Sequence, residues 1–384
     1  MTKHLNPRPP RQRRRLLPAV LGRDRSRRIR NLVAGLAVVG AIVLTGSASI
    51  VRAPGQPPEQ ASSASPAVND ALPPLDSGIG FGFTGSLDSR PGAADDIESF
   101  KRDVDALVEH GQQWIRFGII GWQVARVSGD DGHLVWDESR LKVFDEAIAY
   151  ARQKGLRVFL TTADGQNAAG TAEAYRTSMR EYWTTLARRY APRVSVWQLY
   201  NEVDGSHFRT DQQLKSMTPE YLAQLKAMLQ IGRTAIKEAS PETLVTTNTS
   251  GWPVDDAMEA DWNTFFDAIS ATLDVIAVDV YPADDTTDIE GLTSRVERIS
   301  QRYDKPVIVA EVGLQTCRGC WSEADQGRYV AAAVEALKEA EPMAILIYQW
   351  RDGKDPDGLN AFGVIHIDRS PKAGFDRIMA AMRD

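Results

Sequence analysis

A (β/α)8 barrel is the fold class that this sequence predicts for residues 77–384, and three observations predict it. Eight short apolar runs alternate with stretches of helical periodicity. The runs are apolar at successive positions, as expected of parallel strands covered on both faces. No Pro- or Ser-rich break interrupts the body, whose length suits one closed barrel. A doubly wound open sheet is the alternative. It asks for a glycine-rich turn between the first strand and its helix, but the glycines of "IGFGFT" lie inside the strand itself.

The first run, 79–84, is followed by Ile97, Phe100, Val104, Leu107 and Val108 at helical spacing. "QWIRFGI" (113–119) precedes a helix marked by Leu141, Phe144, Ile148 and Ala151. "LRVFLTT" (156–162) leads into "AEAYRTSMREYWTTLARRY". "VSVWQLY" (194–200) precedes a helix opened by Thr218 as N-cap with Pro219 in its first turn. "TLVTTN" (243–248), "DVIAVDVY" (274–281), "PVIVAEV" (306–312) and "AILIYQW" (344–350) complete the strands. Between them fall helical sets such as Leu292, Val296, Ile299 and Tyr303, then Val330, Val334 and Leu337.

Residues 1–31 form a different kind of segment, with eleven Lys and Arg against the single acid Asp24. Setting this arm aside turns the chain's formal −6 into −16 for the remainder, which excludes nucleic-acid binding through a general basic surface. Residues 32–51, "LVAGLAVVGAIVLTGSASIV", carry no charge. As a helix they span about 30 Å, the hydrocarbon thickness of a bilayer. The basic arm is expected to stay cytoplasmic and everything after Val51 to be exported. Length favours an uncleaved anchor and "GSAS" offers a cleavage site, so both a signal-anchor and a cleaved signal peptide remain open. Residues 52–76, rich in Pro, Ala, Ser and Gln, read as a linker.

Barrel enzymes place their chemistry at the carboxyl ends of the strands. There the sequence offers Arg116, Asn201 with Glu202, Asn248, Tyr281, Glu311 and Trp350. Two carboxylates facing one mouth suit glycosidic hydrolysis, in which one acid protonates the leaving oxygen and the other, ionised, attacks the anomeric carbon or activates water. Arg116 and Tyr281 are expected to hold Glu311 ionised, which leaves Glu202 as the proton donor. Asn201 is a donor for a sugar hydroxyl, and Trp350 offers a flat apolar face for a sugar ring. His207 is equally readable as a sugar contact or as a solvated loop residue.

"YNE" after the fourth strand, "VIVAEVG" at the seventh, Arg116 on the second, "VYP" on the sixth and "YQW" on the eighth together resemble the clan A retaining glycoside hydrolases, the cellulase-like barrels of the family 5 and family 39 type. The resemblance covers residues 77–384. It implies Glu202 as acid/base and Glu311 as nucleophile, with Arg116, Asn201, Tyr281 and Trp350 around the substrate. It also implies a carbohydrate substrate and no cofactor or metal. The chain departs from many such enzymes where they carry histidines, reading "TTADGQN" after strand three and "TTNTSGWP" after strand five. Asp164, Asn167, Asn248 and Trp252 are the candidates to line the cleft instead.

Cys317 and Cys320 are the only cysteines, and in an exported body they are expected to form a disulfide in the loop after strand seven. A metal reading lacks a second ligand pair. A serine-hydrolase reading lacks a Gly-x-Ser-x-Gly elbow after a strand. The rival from another class is an exported carbohydrate-binding pseudoenzyme of the same fold, against which the presence of both carboxylates argues. The protein is expected to act as a monomer.

Overall fold

The computed structural model describes residues 78–163, 170–203, 217–249, 256–281, 289–317, 319, 321–354 and 361–383. The arm, the apolar segment at 32–51 and the linker lie outside the described residues. Among the described residues no helix is long and apolar enough to cross a membrane.

All eight predicted strands form. They are β1 (Gly80–Thr84), β2 (Trp114–Ile120), β5 (Arg157–Ala163), β6 (Val196–Gln198), β7 (Leu244–Thr246), β8 (Ile276–Val280), β9 (Val307–Val312) and β10 (Ala344–Ile347). They pair in parallel in the order β7-β6-β5-β2-β1-β10-β9-β8. The seam between β7 and β8 is bridged at its lower end, where Asp274 N–H donates to Val245 C=O at 2.8 Å and Val245 N–H to Asp274 Oδ2 at 3.0 Å. Arg233 and Lys237 hold the same carboxylate at 2.7 and 2.9 Å. With helices around it, this sheet is a (β/α)8 barrel.

The helices are α1 (Ile97–Glu109), the single turn α2 (Gly121–Val124), α3 (Glu138–Gln153), α4 (Ala172–Tyr190), α5 (Pro219–Ala239), α6 (Asp256–Ile269), α7 (Leu292–Tyr303), α8 (Glu323–Lys338) and α9 (Phe375–Ala381). Their starts follow local chemistry. Asp96, Asp137, Thr171, Thr218 and Ser322 each accept a backbone N–H of the first turn, and Pro219 opens α5 as expected.

One element is absent from the sequence expectation. β3 (Ala125–Ser128) and β4 (His133–Trp136) pair antiparallel as a hairpin set between α2 and α3. Its signal was "SGDDG" between two four-residue runs, with left-handed Gly129 and Gly132 in the turn.

Two apolar layers result. Phe81, Phe83, Ile115, Phe117, Val309 and Val312 point outward onto the helices. Trp114, Phe159, Val196, Ala277, Ile308, Ala310 and Leu346 fill the inside. The glycines of β1 belong to this packing, because a Cβ on Gly80 would lie 2.1 Å from Trp114 Nε1. The indole occupies the space that side chains on β1 would otherwise need.

Candidate active site

Above the inner apolar plug the barrel turns polar. Arg116, pointing inward from β2, lies over the Phe159 ring at 5.5 Å. Its Nη1 is 2.7 Å from Glu311 Oε1, and both side chains are buried. Its Nη2 donates to Asn201 Oδ1 at 2.7 Å and to Gln198 Oε1 at 3.1 Å. The Tyr281 hydroxyl donates to the other oxygen of Glu311. Glu311 therefore receives a cation on one oxygen and a hydroxyl on the other.

Glu311 reaches this position through a β-bulge. Val278 pairs with Val309 and Asp279 with Glu311, so one extra residue enters β9 between the two pairs. Ala310 faces the inner plug while Val309 and Val312 face the helices. Regular two-residue alternation would send Glu311 outward with Val309, and the bulge turns it inward.

Glu202 follows β6 with its backbone in the left-handed region, at φ 50°. For a residue with a Cβ this costs on the order of 1–2 kcal/mol. Its N–H donates to Asn248 Oδ1 at 2.8 Å, and the same oxygen accepts Gln198 Nε2 at 2.7 Å. Asn248 Nδ2 donates to Asp279 Oδ2. Gln198 Nε2 also reaches Asn201 Oδ1 at 2.8 Å. One continuous network thus joins the ends of β2, β6, β7 and β8.

The electrostatics follow from this crowding. Burial opposes the Arg116 charge, and the Glu311 carboxylate, the strongest of the groups facing it, holds the guanidinium charged. Burial first, and then the charge of Glu311, push the Tyr281 phenol well above its ordinary range, so it is a donor at any working pH. Burial, then Glu311, then Glu202 push the Asp279 carboxyl up.

Of the residues anticipated from sequence, Arg116, Asn201, Glu202, Asn248, Tyr281 and Glu311 meet here. Asn248 is fully buried, so it holds its neighbours in place and does not contact a sugar. Trp350 does not belong to the cleft. It is 2% exposed and packs on Phe83, His110 and Phe375 in the layer beneath the helices. The eighth strand ends at Ile347, earlier than expected, and Tyr348 continues the inward row of Ala344 and Leu346. Tyr348 packs against Tyr281 and Phe362 at ring distances of 6.3 and 5.4 Å, and burial first, then the charge of Glu311, push its phenol up. It takes the place that Trp350 was expected to fill.

His207, Asp164, Asn167 and Trp252 lie outside the described residues. Cys317 is disulfide-bonded, and its expected partner Cys320 lies outside the described residues. Sequence reading missed Gln198, Asp279 and Tyr348. The available signal was an amide and a carboxylate in otherwise apolar strands, where burial costs free energy unless a partner is present. Among the described residues no group of three or more His, Cys, Asp or Glu side chains is arranged to hold a metal ion.

Comparison with known proteins agrees with the geometry. The family model for Cellulase (glycosyl hydrolase family 5) matches residues 98–353, about two thirds of the chain. Similar solved structures include GH5_18 from Streptomyces cattleya in complex with GlcNAc, with 17% identity, TM-score 0.61 and coverage of 80% of each chain. Fpglu1 from Fervidobacterium pennivoraus has 15% identity and TM-score 0.58, over 75% of this chain and 84% of that one. The virulence factor SghA from Agrobacterium tumefaciens has 16% identity and TM-score 0.61, over 79% of this chain and 96% of that one. A search of curated protein sequences found no match.

A parallel barrel of this kind, with the matching family model, defines a glycoside hydrolase. The chain belongs to glycosyl hydrolase family 5, the Cellulase family.

Proposed function

We propose that the protein is a retaining glycosidase that cleaves a poly- or oligosaccharide by double displacement, with Glu311 as nucleophile and Glu202 as acid/base. The observation that carries this reading is the unequal treatment of the two carboxyls. Glu311 receives the Arg116 cation and the Tyr281 hydroxyl, whereas Glu202 is presented by a left-handed turn pinned through its own backbone. In the first step a Glu311 oxygen bonds to the anomeric carbon as the glycosidic C–O bond breaks, and the Glu202 proton passes to the departing oxygen. In the second, Glu202 takes a proton from water, the water oxygen bonds to the anomeric carbon, and Glu311 leaves as a carboxylate. Asn201 Oδ1 is occupied by Arg116 and Gln198, which leaves its Nδ2 to donate to a substrate hydroxyl. Tyr348, with Tyr281 and Phe362 behind it, supplies the apolar surface for the ring.

Changing Glu202→Gln separates the two steps. Turnover of a glycoside with a sugar leaving group is expected to fall by about 10²–10⁴. An activated aryl glycoside, which needs little help in leaving, should give a rapid burst followed by slow turnover. Equal losses in the first-turnover rate of both substrates, with no burst, would remove Glu202 from the acid role. A parent protein that binds glycans and never cleaves them would restore the binding-only alternative.

The reading extends to location. The basic arm and the uncharged residues 32–51 support export of the barrel with a membrane anchor or a cleaved signal, and pairing of Cys317 with Cys320 suits an oxidising exterior. Protease treatment of intact cells expressing the full chain should digest the barrel from outside. Protection of the barrel until lysis would place it in the cytoplasm.

A further inference from the structure

Asp279 is a buried carboxyl that the reaction above does not use. It is 0% exposed, so no sugar reaches it. It lies in β8 directly opposite Glu311 in β9. Its Oδ2 accepts Asn248 Nδ2, while its Oδ1 has no hydrogen-bond partner among the described residues.

Two consequences follow from this position. The first concerns geometry. A side-chain amide can present either end, and Asn248 serves Glu202 only with its oxygen turned toward the Glu202 N–H. An acceptor at position 279 selects that orientation by taking Nδ2. The contact is one step from the backbone of Glu202, whose left-handed conformation needs an external hold.

The second concerns charge. Glu202, Glu311 and Asp279 share the neighbourhood with one guanidinium, Arg116. The double displacement starts with Glu202 protonated and Glu311 ionised against Arg116, which balances only when Asp279 is neutral. After the first step Glu311 is an ester and Glu202 is ionised, and the balance again holds with a neutral Asp279. An ionised Asp279 would leave one uncompensated negative charge in a buried site throughout.

We propose that Asp279 is a positioning residue for the reaction, a neutral third carboxyl that sets the Asn248 amide, and through it the turn presenting Glu202, without adding charge beneath the catalytic pair. The inference rests on the double-displacement reading. The groups facing Asp279 are Glu311 from β9, Glu202 after β6, Arg116 from β2, and the Tyr281 and Tyr348 phenols. Burial first, and then the charge of Glu311, raise its proton affinity, and they outweigh Arg116 and the Asn248 hydrogen bond.

The test uses the full chain with Asp279→Asn, Asp279→Leu, Glu202→Gln and Glu311→Gln. Infrared spectra at neutral pH should contain the carbonyl stretches of two buried neutral carboxyls, one of which disappears in Asp279→Asn and the other in Glu202→Gln. Asp279→Asn, an uncharged isostere that can still accept from Asn248, should keep the parent's kcat and the alkaline limb of its pH profile. Asp279→Leu should lose about 10²-fold in kcat through a misplaced Glu202, with KM little changed. Persistence of both bands in Asp279→Asn would overturn the inference. So would movement of that variant's alkaline limb to lower pH, the sign expected when a real negative charge beside Glu202 is removed. If the leucine variant does not fold, the isostere and the Asp279 band still decide. Activity that survives Glu311→Gln would strike the double-displacement reading instead, and the band lost in Asp279→Asn would still report the state of Asp279.

Discussion

Replacing Glu311→Gln is expected to lower turnover on the order of 10⁴-fold or more, because it removes the proposed nucleophile, the group that bonds to the anomeric carbon. The amide keeps the size of the carboxylate, its oxygen can accept from Arg116 and its NH2 can donate to the Tyr281 hydroxyl, so the fold should survive. Loss of activity alone would not distinguish the nucleophile from the acid, but stereochemistry does. In Glu311→Ala, added azide occupies the space of the missing carboxylate and should yield a glycosyl azide of inverted configuration. In Glu202→Ala the covalent intermediate still forms, so azide attacking in place of water should yield the retained configuration. Products of the opposite pattern would exchange the two roles. No rescue in either variant, with full activity in both, would mean that the reaction lies elsewhere in the barrel.

Arg116→Leu is expected to destabilise the protein by about 3–5 kcal/mol, the cost of leaving a buried charge without its partner. Arg116 is 4% exposed and Glu311 5%, so water cannot replace the guanidinium without opening the site. The same substitution releases Asn201 and Gln198, and turnover should fall together with stability. A double-mutant cycle checks the cause. Arg116→Leu combined with Glu311→Gln should be more stable than Arg116→Leu alone, since the uncompensated charge is gone. Denaturant midpoints for the four proteins give the answer, and equal stability of the single and double variants would show that the ion pair is not what holds this layer.

Much of the fold was legible in sequence because the signals were local. Eight apolar runs, the Thr218–Pro219 start and the alternation of strand and helix needed no knowledge of contacts. The β3–β4 hairpin went unread because its strands are only four residues each and lie inside a connection. Glu202, Glu311, Arg116 and Tyr281 were legible as polar residues at the ends of apolar strands. The error at Trp350 has a physical origin. Counting by twos from Leu346 sends residues 348 and 350 to the same face, but regular pairing stops at Ile347 and the chain turns before Trp350. The bulge that brings Glu311 inward breaks the same count, so its orientation could be anticipated only from its chemistry. Asp279 was hidden for the opposite reason. It obeys the strand pattern, and its importance depends on three neighbours that converge only in space.

Gly313 carries a consequence for how this enzyme can change. A Cβ there would come within 2.3 Å of the Tyr348 carbonyl oxygen and 3.3 Å of both the Tyr281 and Phe362 rings. The absent side chain lets the ends of β8, β9 and β10 close into one block around Glu311. Such a block resists piecemeal alteration, because closely packed members cannot be displaced one at a time. The reaction centre is therefore the part of the molecule least free to vary, and any change in its sugar preference has to be made outside this block.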